Sequence, residues 1–118
     1  MTTKLNWIVN QGEDTAFKIL CFDNVGPIDL TTATRCELMI RESIDGPMLI
    51  DLTLGNGLTI DTNDSHRLNV MLSAADTDNV AFTGPWIKSV YNCEVDVNDI
   101  TVQVQEGIIT LRRDVVWP

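Results

Sequence analysis

Thr34-Arg35-Cys36-Glu37-Leu38-Met39-Ile40-Arg41 sets Cys36, Leu38 and Ile40 on one parity and Arg35, Glu37, Met39 and Arg41 on the other. A period of two belongs to a strand with one face in a core, whereas a helix returns its apolar residues every three or four positions. The same period recurs on both sides of this stretch. Upstream, Leu5 to Val9 opens as a short strand that Gln11-Gly12 breaks. Thr15 to Phe22 then puts Phe17, Ile19 and Cys21 on one face and Ala16, Lys18, Leu20 and Phe22 on the other, so both faces are expected to be partly covered. Asp23-Asn24-Val25-Gly26-Pro27 is a turn cluster, followed by a brief extended piece at Ile28 to Leu30.

Downstream, Asp45-Gly46-Pro47 turns the chain into a strand in which Met48, Ile50, Leu52 and Leu54 alternate with Leu49, Asp51 and Thr53. Gly55-Asn56-Gly57 separates it from a short strand at Leu58 to Ile60. After the turn at Asp61 to Ser65, Leu68, Val70 and Leu72 face away from Arg67, Asn69 and Met71. Ser73-Ala74-Ala75-Asp76 has the spacing of an N-cap with an acid three positions on, which predicts one helical turn. Gly84-Pro85 ends it. Trp86 to Val97 places Ile87, Ser89, Tyr91, Cys93 and Val95 opposite Trp86, Lys88, Val90, Asn92 and Glu94. Ile100 to Gln105 sets Ile100, Val102 and Val104 against Thr101, Gln103 and Gln105. Gly107 is expected to interrupt before Ile108 to Leu111 continues as a last strand or a bulged extension. About seven to nine short strands, one short helical turn and loops rich in Gly, Asn and Asp predict an all-β, antiparallel, Ig-like β-sandwich. The nine residues Cys36, Leu38, Ile40, Leu68, Val70, Leu72, Tyr91, Cys93 and Val95 are its expected core.

The chain has 118 residues, 44% of them hydrophobic, enough for one domain spanning 1–118 with a modest core. No run approaches the ~18 apolar residues of a membrane-spanning helix, and Met1 to Asn10 lacks the apolar region of a secretory signal. Seventeen acidic against eight basic residues give a net charge of -9, which repels a phosphate backbone and argues against a nucleic-acid partner. Arg112-Arg113 is the only adjacent basic pair, better suited to a strand end or an interface than to phosphate.

Catalytic constellations are thin. Cys21, Cys36 and Cys93 are odd in number, lack metal-ligand spacing and sit in apolar runs, so buried reduced thiols are expected; a Cys21–Cys36 bridge stays open without geometry. His66, the single histidine, lies in a polar turn expected to be exposed, with no nucleophile in view. Asp61-x-Asn63-x-Ser65 has oxygens at alternate positions but lacks the glycine and glutamate of a calcium loop, and a turn rich in Asx residues accounts for it. The sequence therefore predicts no enzyme, no cofactor, no metal and no small-molecule substrate.

Trp7-Ile-Val-Asn-Gln-Gly-Glu-Asp-Thr-Ala-Phe-Lys-Ile19, Pro27-Ile-Asp-Leu-Thr-Thr-Ala-Thr34, Leu38-Met-Ile-Arg-Glu-Ser43, Leu68-Asn-Val-Met-Leu-Ser-Ala-Ala-Asp-Thr77 and Glu106-Gly-Ile-Ile-Thr-Leu111 follow one another in that order. Together they resemble the β-sandwich domain of tailed-phage baseplate and tail-fibre proteins, similar to the N-terminal domain of the baseplate upper protein family. The resemblance implies an attachment module made in the host cytoplasm and placed in the virion tail or baseplate. Its partners would be other virion proteins and copies of itself. It carries no catalytic residues across. Because the chain stops at Pro118, just after the domain, an adaptor role is expected rather than receptor binding. A capsid decoration protein and an Ig-like carbohydrate-binding module are the alternatives.

Partner contacts are expected at Trp7, Arg112, Arg113, Val115, Val116 and Trp117. Three consecutive apolar residues at 115–117 cannot all face one core from a two-faced strand, and the two arginines suit an acidic neighbour.

Overall fold

A computed structural model of the chain describes residues 3–82 and 84–113. The strands are β1 (Thr3–Lys4), β2 (Trp7–Asn10), β3 (Thr15–Leu20), β4 (Ala33–Arg41), β5 (Met48–Leu54), β6 (Gly57–Ile60), β7 (Arg67–Leu72), β8 (Trp86–Val97) and β9 (Ile100–Arg112). A 3-10 turn at Leu30–Thr32 replaces the end of the expected extended piece, because Asp29 caps it through Thr31 N. The expected helical turn is α1 (Ala74–Asp78). Its capping box is complete: Ser73 Oγ accepts from Asp76 N at 3.3 Å, and Asp76 Oδ2 accepts from Ser73 N at 2.9 Å.

All nine predicted core residues are buried, at 3% exposure or less, in one cluster that also takes in Val9, Ile19, Leu30, Leu52, Leu58, Ile109 and Leu111. Alternation in β4 is uninterrupted, as the sequence requires. Cys21, Cys36 and Cys93 are free thiols inside this core, which removes the Cys21–Cys36 bridge.

The pairing departs from an antiparallel sandwich. The strands form one curled, mixed sheet in the order β1-β9-β8-β4-β5-β6-β7-β3, with β2 also pairing β9. β3–β7, β4–β5, β4–β8, β6–β7 and β8–β9 are antiparallel. β1–β9, β2–β9 and β5–β6 are parallel. Parallel neighbours ordinarily need a long crossover. Between β5 and β6 the chain manages with Gly55-Asn56: Gly55 and Gly57 take φ of 83° and 97°, and Thr53 and Asn56 exchange both backbone hydrogen bonds at 3.1 and 2.9 Å. This loop sidesteps the chain by one strand position without reversing it. At one edge of the sheet the N-terminal segment runs alongside β9 in the same direction; the strand expected over Leu5 to Val9 begins only at Trp7, as β2, and the short β1 precedes it.

The two ends of the sheet come together. β2 lies at one edge and β3 at the other, yet the Trp7 and Phe17 rings stack at 4.0 Å with planes 8° apart. The short turn joining these strands docks on α1, where Thr77 Oγ1 accepts from Gly12 N at 2.9 Å and donates to Ala74 O at 3.1 Å.

Two expectations for β9 are corrected. The strand does not break at Gly107; it runs through to Arg112. The irregularity lies earlier, where Cys93 pairs Gln105 but Glu94 pairs Gln103, so Val104 is the extra residue of a bulge. Val104 and Gln105 are consequently both buried, although Gln105 was expected opposite Val104, while Ile100, in register with Val97 at the start of the strand, is 63% exposed. Gly107 answers a different need: any Cβ there would overlap the Leu5 carbonyl where the N-terminal segment passes over the strand.

Candidate protein-contact face

Inward parity on four neighbouring strands is fixed by buried Val9, Ile109, Leu111, Ser89, Tyr91, Cys93, Leu38 and Ile40. The alternate residues therefore point out from the same sheet. In register, one outward row runs Ile8, Thr110, Lys88, and a second runs Asn10, Arg112, Trp86. A third crosses from Ile108 through Val90 to Arg41. Ile8 is 63% exposed, Trp86 51% and Ile108 40%. Trp86, which could have anchored the core, instead lies outside with the Arg112 guanidinium 5.9 Å from its ring centre. Lys4, Arg41, Ile44, Val90, Glu106 and Ile108 are among the residues lining a cleft of about 560 Å³ in the middle of this face.

Further along the same strands the character changes. On β4, β5 and β8 the outward residues are Arg35, Glu37, Asp51, Glu94 and Asp96. Arg35 reaches Glu37 at 2.8 Å, Asp96 at 3.0 Å and Glu94 at 3.1 Å, using a different nitrogen for each. Hydrogen bonds from Thr101 and then Arg35 hold the Asp96 carboxyl below the usual carboxylate range. Asp51 moves the other way: partial burial, followed by a hydrogen bond and charge repulsion from Glu37, pushes it up to about 6.

Under this face, polar groups anchor the N-terminal segment. Gln105 Nε2 donates to Tyr91 Oη at 2.9 Å, and Tyr91 Oη donates to Leu5 O at 2.7 Å. Ile108 N donates to Asn6 Oδ1 at 2.9 Å. Burial pushes the Tyr91 hydroxyl up to about 12, so it stays a donor.

The predicted contact residues divide. Arg112 and Arg113 are exposed at the end of β9, and Arg113 N donates to Pro85 O at 2.9 Å. The Trp7 ring is stacked between Phe17 and Tyr91, the latter at 4.8 Å, so β2 presents Ile8 outward instead. Val115, Val116 and Trp117 lie outside the described residues. The sequence did mark Trp86, Lys88 and Val90 as one parity. Their union with Ile8, Ile108 and Arg41 depends on strand order, which alternation does not encode.

The remaining reactive residues are occupied within the fold. His66, expected to be exposed, is partly buried: its Nδ1 meets the Asp64 carboxylate and its ring tilts against Phe22 at 5.4 Å. Asp61 Oδ1 accepts from Asn63 N at 2.8 Å, an Asx turn, and its carboxyl is held low. Burial pushes the thiols up, Cys21 to about 12 and Cys36 to about 11, with Cys93 well above its ordinary value. Among the described residues no three His, Cys, Asp or Glu side chains are grouped to hold a metal ion, and no helix is long and apolar enough to cross a membrane. No protein-family model matches the chain, and no curated protein matches it.

Proposed function

We propose that the protein is a non-enzymatic structural component of a phage virion, an adaptor of the tail, baseplate or fibre-attachment region that works through protein–protein contacts. The observation that carries this reading is the outer face of β2, β9 and β8, where Ile8, Ile108 and Trp86 stay exposed beside Lys88 and Arg112. Large apolar side chains set among cations are costly to leave in water and characteristic of surfaces that a partner covers. Thiols with raised pKa and a histidine held by its neighbours offer little to catalysis, and a net charge of -9 disfavours nucleic acid. The five sequence segments that resemble the baseplate domain support the assignment to a virion. A sandwich-like reading of the curled sheet belongs with it: β3–β7–β6 and β9–β8–β4 bury their inner sides in the same core, as two facing layers would.

Antibody labelling of intact phage particles by electron microscopy tests the proposal. Label on the tail or baseplate is the expected result. Label over the capsid shell would replace it with the decoration reading. Particles without the chain, together with specific binding on a glycan array, would replace it with the carbohydrate-binding reading.

A further inference from the structure

The outward residues of β8 change character halfway along the strand. Trp86, Lys88 and Val90 are apolar or basic, whereas Asn92 is followed by Glu94 and Asp96. Neighbouring strands repeat the division in register. Arg112 pairs Trp86 and Arg41 pairs Val90, while Lys4, Glu106, Asn92, Met39 and Asp51 form the row between the two halves. At the other end Glu37 pairs Glu94 and Arg35 pairs Asp96. One half of the face thus carries the cations Arg41, Lys88 and Arg112 with the exposed Ile8, Ile108 and Trp86. The other half carries the carboxylates Glu37, Glu94 and Asp96 against the single charge of Arg35, and the row between holds Lys4 with Glu106 and Asp51.

We propose that this face is self-complementary, so that two copies of the chain meet across a two-fold axis with the basic, apolar half of each against the acidic half of the other. An isologous contact uses the same patch twice, and a patch that is positive at one end and negative at the other satisfies both sets of charges at once. With the axis near Tyr91 on β8, Lys88 of one copy faces Glu94 of the other, and Trp86 with Arg112 faces Asp96. The face is large enough. Twelve residues of β8 extend about 40 Å, and strands spaced about 4.8 Å apart make β2, β9, β8, β4 and β5 about 20 Å across. That is the order of the ~800 Å² each partner contributes to a standard interface. The charge arrangement also explains how a chain of net charge -9 can pack against itself: Arg41, Lys88 and Arg112 lie where the copies touch. The inference rests on reading this face as a protein-contact surface and not on which assembly contains it.

Sedimentation velocity of the full chain tests it without virions. At about 50 mM salt, where screening is weak, a reversible dimer is expected, with self-association weakening at least about tenfold toward about 500 mM. Lys88→Glu should weaken the dimer roughly tenfold or more, because it sets like charges opposite one another twice. Glu94→Lys should do the same, and an equimolar mixture of the two variants should recover the dimer, since each mixed pair restores both contacts. Circular dichroism and melting curves establish that the variants fold. Should Glu94→Lys disturb the Arg35 cluster, the exposed Lys88→Glu variant and the salt series decide the matter. A monomer at low salt, a dimer indifferent to both salt and Lys88→Glu, or failure of two folded variants to restore one another would overturn the proposal. None of these results would move label on or off a virion.

Discussion

The Tyr91 hydroxyl ties the middle of β8 to Gln105 of β9 and to the Leu5 carbonyl, so a single oxygen joins three segments of chain. Tyr91→Phe keeps the packing and removes the hydroxyl, leaving Leu5 O without this donor and Gln105 Nε2 without this acceptor. Chemical denaturation should show a loss of about 1–3 kcal/mol with little change in the slope. Gly107 holds the same crossing open from beneath. Gly107→Ala drives a methyl group into the Leu5 carbonyl and should cost about 1–3 kcal/mol, with hydrogen exchange at Ile108 N accelerating as its bond to Asn6 is lost. Leu38, fully buried at the centre of β4, is a simpler case: Leu38→Ala leaves a cavity and should lower unfolding free energy by about 2–4 kcal/mol. The contrast bears on what sequence can reveal. Leu38 was legible because an apolar residue at the right parity can only be satisfied by burial. Tyr91 was legible as a core residue, but its hydroxyl partner lies 86 positions away in sequence and has no side-chain signature.

At the level of elements, alternation identified nearly every strand, and the Ser73 capping box located α1. Strand order and direction were not legible, because a period of two says which residues face inward and nothing about the neighbour or its polarity. The parallel sidestep at Gly55-Asn56 looks like any hairpin turn in sequence, since the same Gly and Asn residues serve both. Likewise the bulge at Val104 inverts parity along β9 and brings Gln105 onto the buried side, although in sequence it reads as opposite Val102 and Val104. Pairing between β4 and β5 has a measurable signature. Asp51 sits at about 6, above its ordinary 3.8, so the fold favours its protonated form. The stability it contributes is full below its ordinary value and is lost as pH rises through about 6. Asp23, Asp29, Asp61 and Asp96 are held low, and their contribution is lost instead as pH falls below the ordinary carboxylate range. The melting temperature should therefore rise between about pH 8 and about pH 5 and fall in stronger acid, and Asp51→Asn should flatten the first limb alone. An unchanged slope in that variant would place the titration elsewhere.

For the whole molecule, one core shared by strands from both ends of the sheet means that its interior opens only when the sheet does. The three thiols report this directly. A water-soluble disulfide reagent should leave Cys21, Cys36 and Cys93 unlabelled in the native protein and modify all three in denaturant, with native labelling tracking the rate of global opening. Fast labelling of one thiol alone would mean that its strand detaches independently. Pairing of β1 and β2 with β9 also has a bearing on biosynthesis. Ile108 is bonded to Asn6 across 102 positions, and the N-terminal strands have no other sheet partner in the described residues. A nascent chain thus carries β2, with Ile8 and Trp7, without its sheet partner until β9 has been translated. Closure waits for β9, and such distant pairing is intrinsically slow. The interval before β9 pairs is therefore when this domain is most open to capture by chaperones or to mispairing with another nascent copy.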